Sequence, residues 1–548
     1  MANLKIAQIA TVALALGAGL LGCGQRERTS GPAPAVQASA PAPATASTIP
    51  ADAPPGIDWF HGSVAAAFDE ARTEGKPVLL YWGAKWCPYC HELKGTVFAR
   101  ADFIEKSRLF IPVYLDGDTP GAQQWGDVFH ATGYPTVLIL RSDRSELERV
   151  SGGMDLKQYG EVLDLALGDV RPVQDLLASL VGRTAGSAGA ADDPPLSRDD
   201  CRRLAYYGWD LDPTMTSQPG ERVAVLRRAA EACPPDARVE RARLTIVATV
   251  AAAAAEQKPL KAGKPPSAQL AALVRQIDSI VSDRSVAAGA VDTLEMLDDS
   301  FFTAAKHVVK PASLEQRWTS IMDQVAEDGR YPDMDRLDAL DSKLVAIKAL
   351  DGAIPAPLAA AAEHRIDAVL ARPHDVNIQA GDVEAALNIL DVLGDTDHAY
   401  AIALHEEQTS STPYYYMSDL ADLEEKRGHK DLAIGWLERA YHDSQGAATR
   451  FQWGTNYVRG LVRLRPDDDR QIRSAALAVL AELDGPNRIY SRSRMRLEKL
   501  DGALREWNRR GQHTATIIVL RQRVQEICAK VPASDPARET CTGFLANA

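Results

Sequence analysis

Two kinds of hydrophobic pattern divide this chain. The runs Pro77-Val78-Leu79-Leu80-Tyr81-Trp82 and Val137-Leu138-Ile139-Leu140 are short, unbroken and apolar, and they predict strands. Between them, residues 90–98 carry helical spacing. From Ser197 onward the pattern is helical almost throughout. Ser197 can cap a helix, and Val223, Leu226, Ala229 and Ala230 repeat at helical spacing before Pro234 and Pro235 end it. The apolar run from Leu244 to Ala255 is too short for a membrane span and predicts a packed helix. Asp467-Asp468-Asp469 predicts a solvent-facing helix start, and Asp116-Gly117-Asp118 a loop after a strand.

Composition adds boundaries. An apolar leader runs from Ile9 to Leu21 after Lys5, and a Pro/Ala-rich stretch follows, with Pro32-Ala33-Pro34-Ala35 and Pro41-Ala42-Pro43-Ala44. That stretch reads as a tether over 23–56, reaching on the order of 100 Å if fully extended. A second break, rich in Ala, Gly and Ser, runs from Gly182 to Leu196. The expected division is a leader over 1–22, the tether, an α/β domain over 57–169, a linker over 170–196 and a helical domain over 197–548, subdivided near 375. With 548 residues, 46% of them hydrophobic, the chain can build two or three cores. Its net charge of −13, without a concentrated basic stretch, argues against nucleic acid as a partner.

The chemistry concentrates in Trp86-Cys87-Pro88-Tyr89-Cys90, directly after the first strand. Two thiols two residues apart at a helix start suit disulfide exchange. Unpaired N–H groups and the helix dipole favour an anionic sulfur at Cys87, Pro88 suits the first helical position, and the turn holds Cys90 where it can resolve a mixed disulfide. The competing reading is half a zinc site or a buried pair, which the preceding strand and Trp86 disfavour. His91 could favour thiolate when protonated, or could be an exposed histidine without a role.

Residues 57 to about 169 resemble the thioredoxin superfamily. The resemblance rests on Trp86-Cys87-Pro88-Tyr89-Cys90, on Gly133-Tyr134-Pro135-Thr136 before the second apolar run, and on Gly152-Gly153 before a closing helix. It implies a central mixed sheet flanked by helices, with Cys87 as attacking and Cys90 as resolving cysteine. It also implies a cis Pro135 against the sulfurs, with Trp86 and the Tyr134 backbone positioning an extended substrate. Two positions depart from the family. Tyr81 stands where a buried acid is usual and Tyr114 where a lysine is expected, so the usual proton acceptor for Cys90 is missing. Pro88-Tyr89 also occurs in glutaredoxins, but nothing else suggests a glutathione site.

The leader ends in Leu20-Leu21-Gly22-Cys23, which resembles a bacterial lipobox. That resemblance implies cleavage before Cys23, acylation of Cys23 and an anchored protein of the cell envelope; Gly24 suggests the outer membrane, facing the periplasm. Leu21 is less usual there, leaving ordinary signal-peptide cleavage as the alternative. Beyond Cys23 and the active pair, four of the seven cysteines remain: Cys201, Cys233, Cys528 and Cys541. They allow three pairings; Cys201 with Cys233 and Cys528 with Cys541 close local loops and are favoured over the other pairings and over four free thiols.

The helical part resembles tetratricopeptide-like α-solenoids over roughly 375–530. Leu420-Ala421-Asp422-Leu423, Gly428, Ala433, Leu437 and Ala440 match one helix pair. An irregular helical bundle is the alternative. Tyr414, Tyr415 and Tyr416 read as packing residues rather than a peptide-binding shelf. His405-Glu406-Glu407-Gln408 lacks the second histidine of a zinc helix, so no metal site is expected, and no cofactor is implied.

The expected function is a lipid-anchored envelope thiol–disulfide oxidoreductase acting on protein disulfides. Reduction is favoured over isomerisation or oxidation, with a membrane thiol electron donor. The alternative is a helical interaction protein whose thioredoxin-like part is a redox-sensitive clamp, with the array binding a protein partner. A thiol copper carrier ranks third.

Overall fold

The computed structural model describes residues 49–150, 156–168, 170–182, 196–209, 219–372, 375–484, 489–533, 535, 537–546 and 548. After helix α1 (Val64–Glu74), strand β1 (Val78–Gly83) leads into α2 (Pro88–Thr96) and α3 (Ala101–Ser107), and then into β2 (Ile111–Asp116). Helix α4 (Pro120–Val128) precedes β3 (Thr136–Leu140) and β4 (Glu146–Val150). The four strands form one mixed sheet in the order β2-β1-β3-β4. β1 is parallel to β2, with Val78 opposite Ile111, and antiparallel to β3, with Tyr81 opposite Val137. A parallel neighbour requires a crossover, which α2 and α3 supply.

Every residue of β1 is buried, which explains its unbroken apolar run: both faces of the strand are covered. Val78, Leu80 and Trp82 pack with Val64 and Phe68 of α1 and Trp125 of α4. Leu79 and Tyr81 point the other way, toward Leu93, Phe98 and Phe103. The alternation brings Tyr81 beneath the α2 side of the sheet, under the cysteines.

The stretch expected as a linker is partly helical. Helix α5 (Leu156–Ala166) is followed by α6 (Val173–Gly182), which packs on β4 and on the helix Pro219–Ala232. Residues 183–195 and the pair Gly152-Gly153 lie outside the described residues. Polar bonds tie the sheet's edge strand to the helices beyond. The Tyr207 hydroxyl donates to Glu146 at 2.8 Å, and the Gly208 N–H donates to the Arg149 carbonyl at 2.8 Å. A covered edge has no free ladder for another chain to join.

From Arg198–Tyr206 to Ala537–Gly543 every element among the described residues is a helix. Ser197 caps the first through a box with Asp200. The helices Pro413–Lys426, Lys430–Asp443, Ala447–Leu464 and Asp469–Ala481 each pack on the next. Gly428, at φ +82°, makes the turn between the first two. The run from Leu244 to Ala255 lies inside the helix Arg238–Lys261, and no described helix is long and apolar enough to cross a membrane.

One hydrophobic core crosses the expected domain boundary, taking in Ile57, Leu79 and Tyr159 and continuing through Leu204, Leu226, Trp318 and Leu387. Helix α2 lies directly on the helix Val376–Leu393. A glycine on each helix makes room for the other: a Cβ on Gly95 would meet Ile378 at 3.1 Å, and one on Gly381 would meet Glu92 at 3.6 Å. The helical array is therefore built onto the α/β module rather than strung after it.

Candidate redox site

The chain leaves β1 at Gly83 and turns into α2 at Pro88, which places Cys87 at the N-cap. The Cys90 N–H donates to the Cys87 sulfur at 3.3 Å. Pro88 occupies the first turn, where its missing N–H breaks no helix bond. Both cysteines are free thiols, Cys87 4% exposed and Cys90 fully buried. The Tyr134–Pro135 peptide is cis. The Tyr134 carbonyl oxygen faces the dithiol and accepts from Cys87 Sγ at 3.6 Å. Tyr134 is held by Gln123, which donates to its hydroxyl at 2.9 Å, and by the ring of Trp82 at 4.4 Å.

The array covers this site. The Trp86 indole N–H donates to the Thr449 hydroxyl at 3.1 Å and reaches Asp118 at 3.4 Å. Its ring stacks on Tyr415 at 6.2 Å and meets Trp453 edge-on at 6.0 Å. Thr449 also donates to Asp118. Burial raises the Asp118 carboxyl to about 6, against the pull of the Thr449 hydrogen bond. Arg492 lies 4.2 Å over the Tyr134 ring and donates to the Thr132 carbonyl at 2.9 Å. His91 Nδ1 is 2.7 Å from Asn377 Oδ1, and its Nε2 is 2.5 Å from the Lys85 carbonyl, so its ring ties α2 to the helix Val376–Leu393. Tyr414 and Tyr416 are buried, and Tyr415 is the one that meets Trp86.

This cover changes the expected ionisation. The helix N-terminus alone would favour thiolate at Cys87. Here burial pushes the Cys87 thiol well up, reinforced by its hydrogen bond to Cys90. Cys90 shifts the other way. Burial opposes its ionisation, but the hydrogen bond from Cys87, the Ala84 backbone, Lys94 and Tyr81 together lower it. The two thiols are thus shifted in opposite directions, Cys87 being the harder to ionise under this cover.

Beneath Cys90, where β1 carries no buried acid, lies a phenol whose ionisation burial pushes well up. The Tyr81 hydroxyl is buried without an oxygen or nitrogen partner, close enough to the Cys90 sulfur to favour its thiolate. Tyr114 donates to Asp52 at 3.0 Å, and Lys94, one turn after Cys90, is paired with the same carboxylate. Burial opposes ionisation of Asp52, but Lys94 and Tyr114 hold its carboxyl below the ordinary carboxylate range. Lys94 carried a readable signal, since four residues after Cys90 puts it on the same helix face. Asp52 carried none, because it lies in the stretch read as tether. The end of that stretch packs on the module instead, with the Trp59 indole donating to the Pro54 carbonyl at 3.0 Å.

The remaining cysteines lie far from the dithiol in the sequence. Cys201 is bonded to Cys233, and Cys528 to Cys541. Cys23 lies outside the described residues.

A four-stranded mixed sheet, a Cys-X-X-Cys pair at a helix N-terminus and a facing cis-proline loop define a thioredoxin-fold redox module. Residues 58–142 match the family model of thioredoxin-like proteins, and the chain thus carries a thioredoxin-like domain, followed by a large all-helical region. A search of curated proteins finds no match.

Proposed function

We propose that this chain is a lipid-anchored thiol–disulfide oxidoreductase of the bacterial envelope that acts on protein disulfides, with Cys23 as the acylated anchor. The supporting observation is the pairing of Cys87, at the α2 N-cap, with the Tyr134 carbonyl 3.6 Å away. A disulfide laid along Tyr134–Pro135 would meet the Cys87 sulfur.

Cys87 loses its proton and attacks one sulfur of the client disulfide. A mixed disulfide forms and the client's other sulfur leaves as thiolate, taking up a proton. Cys90 thiolate then attacks the Cys87 sulfur, releasing the second client thiolate and closing the Cys87–Cys90 disulfide. The client is reduced by two electrons and the pair oxidised by two. A dithiol donor, such as a membrane thiol transporter, returns the pair to the reduced state.

At 4% exposure Cys87 has no open line of approach. Reaction requires Trp453, Tyr415 and Arg492 to move off the Trp86–Tyr134 face. Separation would also hydrate Cys87 and remove the burial that keeps it protonated, so access and activation are the same event. Full-length chain carrying Cys90→Ala should accumulate client adducts on Cys87, identified by mass spectrometry; an absence of adducts in envelope extracts would count against this reading.

The same burial favours a second reading, a scaffold whose dithiol is a redox-sensitive clamp between module and array. Partner binding that persists after Cys87 and Cys90 are both replaced by Ala, without disulfide turnover by the wild type, would select it.

A further inference from the structure

We propose that the helices Ala447–Leu464 and Ser491–Trp507 form a binding site for the carboxylates of an acidic peptide, beside the Tyr134 loop. Arg492, Arg496 and Lys499 are spaced four and three apart, so they share one face of the second helix. Arg459 comes from the first helix, which packs against it. The Gln452 side-chain oxygen accepts from Arg492 and, at 3.0 Å, from Arg496. Arg496 Nε is buried with no hydrogen-bond partner.

Neighbouring arginines on the same helices are paired: Arg450 with Glu482 at 3.0 Å, Arg463 with Glu425, Arg494 with Asp127 at 2.7 Å and Arg505 with Asp501 at 2.7 Å. Among the described residues, none of Arg459, Arg492, Arg496 and Lys499 forms an ion pair. Asp118 is near Arg492, but it is engaged with Thr449 and Trp86. Four gathered cations without a counter-charge oppose folding, and a bound anion would relieve that cost. Burial, with Arg496, Arg459 and Arg492 nearby, lowers Lys499 to about 8. Burial and the neighbouring guanidiniums lower Arg496 to about 9.

The position selects the ligand. Arg492 touches both the Tyr134 ring and the Thr132 carbonyl, so an anion held by its neighbours would lie next to the segment that receives a client disulfide. A peptide brings carboxylates there as Asp, Glu or its C-terminus. This inference rests on the oxidoreductase reading for its choice of peptide, while the cation cluster stands without it.

The test uses full-length chain and a dye-labelled peptide with two glutamates and no cysteine, alongside its glutamine twin. Fluorescence polarisation at low salt should show the glutamate peptide binding about tenfold tighter, a difference of about 1.4 kcal/mol. Lys499→Gln should shrink that preference severalfold, and Lys499→Arg should keep it. The Cys87→Ala/Cys90→Ala double variant should also keep it, since no sulfur is involved. Equal affinity of the two peptides for the wild type overturns the site, as does a preference unchanged in both Lys499→Gln and Arg496→Gln. Disulfide turnover measured on the same preparation separates the readings. Turnover without a glutamate preference removes the anion site alone, and a preference without turnover removes the oxidoreductase alone.

Discussion

The Trp86 indole N–H donates to the Thr449 hydroxyl at 3.1 Å, joining a residue of the redox motif to one 363 positions later in the chain. Thr449 in turn donates a hydrogen bond to Asp118, so a single hydroxyl links both Trp86 and Asp118 to the array. Under the proposed function the covered face is the one a client would use, and the array would govern access to it.

Thr449→Val removes that link while keeping the side chain's size. Losing the bonds to Trp86 and Asp118 should cost the closed form about 1–3 kcal/mol. Cys87 alkylation by iodoacetamide should then speed up by about tenfold, the factor that corresponds to 1.4 kcal/mol. Equal rates for variant and wild type would show that the cover does not limit access.

Tyr81→Phe removes the hydroxyl that helps lower Cys90. Folding should change little, because that hydroxyl has no oxygen or nitrogen partner to lose. Cys90 should become a weaker acid and release of the mixed disulfide should slow several-fold, read as a longer-lived adduct in quenched-flow gels. An unchanged adduct lifetime would exclude Tyr81 from the resolving step.

Asp52→Asn leaves Lys94, 5% exposed, without its counter-charge. Asp52 itself is 37% exposed, so solvent screening limits the loss to about 1–2 kcal/mol in denaturant melts near neutral pH. The sign with pH follows from the lowered Asp52 carboxyl. Its stabilisation is present above the ordinary carboxyl pKa of about 4 and is lost as pH falls through the lower folded value. Wild type and Asp52→Asn should therefore converge in stability as the pH falls through the lowered Asp52 value; a constant gap down to acid pH would contradict the ion pair.

Local pattern carried much of the fold. The β1 run, the α2 start at Pro88 and the helices after Ser197 are written in short-range periodicity and capping, and the structure has them there. The dithiol was legible because both thiols, the proline and the tryptophan lie within five residues. What escaped was long-range. Thr449, Trp453 and Arg492 look like ordinary helix residues, and only the packed chain brings them to Cys87. Asp52 was hidden by its Pro/Ala-rich surroundings. The burial of Cys87 was hidden for the same reason: the local helix terminus favours thiolate, whereas cover by residues distant in sequence pushes its thiol up.

The most direct test of the central claim is disulfide turnover by the full-length chain with dithiothreitol as electron source. Wild type should reduce a disulfide protein and Cys87→Ala should be inactive, while Cys90→Ala, reduced and then mixed with the same substrate after dithiothreitol is removed, should stop as a covalent adduct on Cys87. Thr449→Val should turn over faster than wild type. Wild type and Cys87→Ala reducing the substrate at the same rate, under conditions where a control oxidoreductase works, would contradict the account.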